Sequence, residues 1–175
     1  MSDCTNQPIT NIVTLTFKRS ELIYDVANYS FVEGDIMKAD EEHARHQVFD
    51  IVESGNENRV TRILNLAHAE CIEMLFPYTK EDIVDDSEGL NDIMIVPEEY
   101  LIQLNLPEVF SNTTVQLLSH LIHEYLVCRV LADWMSITNP SSQKNWEDKF
   151  KSIRLQIQTA LVSRVGKIRR KLKPF

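Results

Sequence analysis

The chain has 175 residues, 43% apolar and 25% charged, which suits one globular domain with a sizeable core and argues against global disorder. Its formal net charge is −8. Its four glycines form neither GxGxxG nor GxxxxGKS/T, so the common phosphate-cradling nucleotide folds are not expected.

Cys4, Cys71 and Cys128 are odd in number and widely spaced. That spacing predicts no disulfide framework and no zinc knuckle, and implies a reducing, intracellular setting. The opening MSDCTNQPIT lacks the basic and apolar regions of a secretory signal, and no apolar run reaches about 18 residues. No membrane partner is expected.

In chain order, residues 11–18 alternate Val13, Leu15 and Phe17 with Thr14, Thr16 and Lys18, a period of two that predicts a half-buried strand. Ser20 is a candidate cap for a helix over 21–36, whose apolar positions scatter. Asp40 is a candidate cap for a helix in EEHARHQVFDIVES, stopped near Gly55. From Asn58, the stripe Val60, Ile63, Leu64, Ala67, Cys71, Met74 and Leu75 predicts a helix ending at Pro77. Six acidic residues follow without a base, Glu81, Asp82, Asp85, Asp86, Glu88 and Asp92, as expected of a solvated loop. DIMIV (92–96) reads as a second strand, and Pro97 with Glu98 and Glu99 as the opening of a helix through Leu104. A long helix, apolar on most sides, is predicted over 113–138, and a last helix starts at Ser142 with Trp146, Phe150, Ile153 and Ile157 inward. Trp134 and Trp146 should pack the turn between them. The fold expected is mainly α: an antiparallel helical bundle with a minor β element at about 11–18 and 92–96. It divides into one domain (1–165) with an N-terminal strand arm and a basic tail (166–175).

Charge is uneven along the chain. Six of the 18 basic groups, Arg164, Lys167, Arg169, Arg170, Lys171 and Lys173, lie in the last twelve residues, which end in Phe175. That leaves 12 basic against 26 acidic groups in the first 163 residues, a net of −14. Such a body is unsuited to gripping phosphates, whereas the tail suits docking on an acidic neighbour or touching nucleic acid.

Potential ligands three residues apart occur at His43/His46, His68/Cys71 and His120/His123. Helix-borne di-iron sites need Glu-x-x-His on two helices, and that spacing does not recur here. Structural roles are expected for all five histidines, and no cofactor. The competing reading is a metal-binding bundle using His68, Cys71, His120 and His123.

The stretch LLSHLIHEYLVCRVLADWMSITNP (117–140), its turn and the amphipathic helix after it resemble the head–tail connector (adaptor) proteins of tailed bacteriophages over about residues 40–165. The resemblance implies a non-enzymatic virion protein that assembles in rings, often dodecameric, beneath a portal in the host cytoplasm and lets DNA pass without sequence-specific binding. It implies inter-subunit roles for the 11–18 strand (Val13, Leu15, Phe17), the acidic loop and the basic tail. The remaining alternative is a regulatory adaptor whose tail binds nucleic acid.

Overall fold

The computed structural model describes residues 10–37, 42–76, 78–79, 96–107 and 110–163. The elements are β1 (Thr10–Lys18), α1 (Arg19–Ile36), α2 (Glu42–Phe49) running into a 3-10 turn (Asp50–Val52), α3 (Glu57–Met74), β2 (Glu99–Pro107), α4 (Asn112–Thr138) and α5 (Pro140–Ser163). The chain is mainly helical, as its apolar periodicities predict, with one small antiparallel sheet.

β1 pairs with β2 in register from Thr10↔Pro107 to Lys18↔Glu99. A two-stranded sheet is marginal alone. This one is held because Leu15, Phe17, Tyr100, Ile102, Leu104 and Leu106 are buried in the same core as the helices. β1 passes into α1 without a loop, and Ser20 lies in the first turn of that helix, not at its cap.

Residues 97–104 do not form the expected helix. Tyr100, Ile102, Leu104 and Leu106 are buried while Leu101 and Gln103 are exposed, and that alternation fits a pleated strand. Pro97 and Glu98 precede the strand as irregular chain. Of the strand expected at 92–96, residues 92–95 lie outside the described residues and Val96 is not in a strand. The partner of β1 is therefore β2.

α4 packs against α5, α3, α1 and α2. It is long but not apolar on all sides. Thr114, Leu118 and Ile122 bury one stripe of its first half, and Leu117 is exposed. Burial becomes nearly continuous only from Tyr125 to Met135, and Arg129 and Asp133 interrupt it. The helix is thus enclosed along its second half and one-sided along its first. No helix among the described residues is long and apolar enough to cross a membrane.

The junction of α1, α2 and α4 shows how a helix end is satisfied. Val48 lies in the last turn of α2, where carbonyls lack intrahelical partners. Its oxygen accepts from the Ser30 hydroxyl and from Trp134 Nε1, the latter at 3.1 Å. Trp134 therefore anchors α4 to α2.

α1 explains its own scattered pattern. Leu22, Val26, Ser30 and Gly34 face the core. A second stripe, Tyr24, Phe31, Val32 and Ile36, faces outward. A helix apolar on two faces lacks a single amphipathic period.

Candidate functional site

Three regions of the described chain gather polar or apolar side chains beyond ordinary packing. The first is the seam where α1 lies over α4 and α5. Asp25 Oδ2 meets His123 Nε2 at 2.7 Å. One turn on, Lys149 pairs with Glu124 and sits over the rings of Tyr29 and Trp146, 4.9 and 5.1 Å from their centroids. Trp146 Nε1 donates to Glu33 Oε1 at 3.0 Å, and its ring meets Tyr29 edge-on at 5.4 Å. Burial pushes the Lys149 ammonium down, but Glu124 and its neighbours outweigh this and its pKa ends raised. The charge is held by a carboxylate and two aromatic faces. Trp146 thus pins α5 to α1.

The second region is a cavity of about 380 Å³ between α4, α5 and Glu70 of α3. The Tyr125 hydroxyl donates to Glu70 Oε2 at 2.6 Å, Arg129 Nε approaches the same oxygen at 3.5 Å, and its guanidinium lies 5.6 Å from the Phe150 centroid. Asp133 accepts from Arg59 Nη2 at 2.6 Å. Burial pushes the Tyr125 phenol up, and Glu70 pushes it further. These contacts lock α3, α4 and α5 together. They hold the phenol protonated, the opposite of what activates a nucleophile.

The cysteines behave alike. Cys71 and Cys128 are buried free thiols; burial raises the first strongly and lifts the second to about 12. Reactive cysteines require the reverse shift.

The histidines do not converge. His68 Nε2 bonds the Leu101 carbonyl at 2.9 Å and its ring packs on Tyr100 at 5.3 Å. His123 turns to Asp25 on α1, and His120 is exposed. Among the described residues, no group of three or more His, Cys, Asp or Glu could hold a metal ion.

The third region is the outer surface of α1 and β1. Tyr24, Phe31, Val32 and Ile36 are 71%, 59%, 49% and 76% exposed, while Phe31 stacks on Phe49 at 5.3 Å. Tyr24, Phe31, Val32 and Ile36 fall on one side of the helix, with the polar Asn28 and Asp35 between them, Asp35 pairing with Arg45 at 3.3 Å. Leu15 and Phe17 are buried in this chain's own core and Val13 is half-buried. The strand residues a neighbour would meet are therefore Ile12, Thr14 and Thr16. The acidic loop (Glu81 to Asp92) and the basic tail (Arg164 to Phe175) lie outside the described residues. Sequence reading missed the α1 face, although its signal was there: large apolar residues at helical spacing in a segment whose other apolar residues were already spoken for.

No known protein family, no curated protein and no solved structure shows detectable similarity to this chain.

Proposed function

We propose that this protein is a non-enzymatic structural subunit that assembles with copies of itself, in the ring arrangement of phage head–tail connectors. In that role it joins portal to tail, works in the host cytoplasm during assembly and then in the virion, and lets DNA pass. The observation that carries the reading is the second apolar face of α1. Four large exposed side chains on one side of α1, with Asn28 and Asp35 among them, make a mixed apolar and polar surface of the kind found at interfaces. An acidic body, net −14 over residues 1–163, repels phosphates and suits a wall past which DNA slides. The raised pKa values of Cys71, Cys128 and Tyr125 agree with a structural role for the interior.

Native mass spectrometry of the full chain, alone and with a phage portal protein, tests this. The expected result is a discrete assembly of many copies, lost on Phe31→Asp with Ile36→Asp while the circular dichroism of the fold is kept. A chain that stays monomeric at tens of micromolar with the portal present would overturn it.

A further inference from the structure

β1 leaves one edge unpaired among the described residues, and the direction of its backbone groups follows from its neighbours. Asn105 donates its N–H to the Tyr78 carbonyl at 2.8 Å, and the Leu101 carbonyl accepts from His68 at 2.9 Å. The odd-numbered residues of β2 thus turn their backbone groups away from β1. In an antiparallel ladder the N–H and C=O of one residue point to the same side. The even-numbered residues of β2 therefore bond to β1, through the pairs Tyr100↔Phe17, Ile102↔Leu15 and Leu104↔Val13. The bond from Arg19 N–H to the Glu98 carbonyl, 2.9 Å, continues the same parity. Ile12, Thr14 and Thr16 consequently aim both backbone groups at the open edge.

Natural proteins blunt such edges with charges, prolines or bulges. From Thr10 to Phe17 the sequence TNIVTLTF has no charge and no proline, and its pairing with β2 runs without a bulge. An edge of this kind is a template for another strand.

We propose that β1 pairs antiparallel with β1 of a second copy, about a two-fold axis at Thr14, giving a four-stranded sheet in the order β2, β1, β1, β2. The strand is complementary to itself in this register. Ile12 faces Thr16 of the second copy, Thr14 faces Thr14, and Lys18 faces Thr10. Val13 faces Leu15, and Phe17 faces Asn11. No like charges oppose each other, and β-branched side chains meet at Ile12–Thr16 and at Thr14–Thr14. Parity agrees: even residues oppose even residues, each pair able to exchange both backbone bonds. Centring on Ile12 or Thr16 instead pushes one end of β1 past the other and shortens the ladder. The proposal goes beyond the connector reading, because a two-fold contact closes on itself and does not generate a ring.

Cysteine pairing tests both contact and register on the full chain in a Cys4→Ser background, since Cys71 and Cys128 are buried. Directly opposed residues of a hydrogen-bonded pair have Cα atoms about 5.5 Å apart, within disulfide range. Thr14→Cys is expected to cross-link to a covalent dimer under mild oxidation. Ile12→Cys and Thr16→Cys should each stay uncoupled alone and cross-link when mixed. Thr14→Pro removes only an edge N–H, so sedimentation should give half the mass of the unmodified pair while circular dichroism is retained. Thr14→Lys, which sets two ammonium groups face to face, should do the same if the proline variant fails to fold. Unchanged mass in the folded variant, or cross-linking at Ile12 alone, overturns the proposal. A chain that is monomeric alone yet forms rings with a portal overturns the strand pair and keeps the connector reading. A β1-dependent dimer that never forms rings does the reverse.

Discussion

At Gly34 the backbone of α1 runs so close to the Phe49 ring that an added Cβ would overlap it. Alanine is a better helix former than glycine by about 1 kcal/mol, yet here it must displace a ring already stacked on Phe31. Gly34→Ala is therefore expected to destabilise by about 1–3 kcal/mol, the usual cost of overpacking, read from urea unfolding. A stabilised variant would mean that the ring yields freely. His68 gives a pH-dependent counterpart. Burial lowers its pKa from the ordinary 6.5, and the bond to the Leu101 carbonyl only partly opposes this. The unfolded chain then binds the proton more readily than the folded one. This contribution to stability is complete above about 6.5 and is lost as pH falls below it. The urea midpoint should fall as the solution is acidified through that window, and His68→Gln should flatten the decline. Histidine NMR should place the His68 titration below the ordinary value.

At the scale of elements, α4 has two different halves and its substitutions should divide accordingly. Leu126→Ala, in the enclosed half, removes a fully buried side chain and should cost about 2–5 kcal/mol. Leu117→Ala, in the one-sided half, touches an exposed position and should stay within about 0.5 kcal/mol. Equal losses in a thermal or urea series would contradict the one-sided burial. The enclosed half could not be separated from the rest by reading residues alone, since Leu117, Leu121 and Leu126 are equally apolar. What separates them is which neighbours arrive: Val48 of α2 meets Trp134, and Arg59 and Glu70 of α3 meet Asp133 and Tyr125, all on the second half. β1 was legible because its alternation runs unbroken from Val13 to Phe17. β2 carries an equally regular alternation in YLIQLNL, but Pro97-Glu98-Glu99 imitates a helix start, and Leu101 with Leu104 fits a helical spacing. Long-range pairing with β1 decided between them. α1 looked irregular because two apolar stripes were superposed, one serving the core and one left outside. The histidine and cysteine pairs were visible in the sequence as spacings of three. Their partners, Leu101 for His68 and Asp25 for His123, were not, because both lie far away in sequence.

For the whole molecule, the division of charge has a consequence for assembly whose sign can be predicted. Copies of residues 1–163 carry −14 each and repel, while the six basic groups of 164–175 bring the full chain to −8. If the tail of one copy lies on the acidic body of the next, attraction and repulsion respond to salt in opposite ways. Screening reaches about 10 Å at 0.1 M ionic strength, so added salt weakens the tail contact between full-length chains. In a chain ending at Ser163, with 12 basic against 26 acidic groups, the net charge effect between copies is repulsion, and salt relieves it. Self-association of the full chain should therefore weaken as salt rises. That of the truncated chain, carried by the α1 face and the β1 edge, should be weaker at low salt and strengthen as salt rises. Sedimentation velocity over a salt series on both chains reads the two slopes directly. Slopes of the same sign would show that the tail takes no part in joining copies. A tail that instead contacts nucleic acid would show DNA affinity that falls with salt and disappears on truncation.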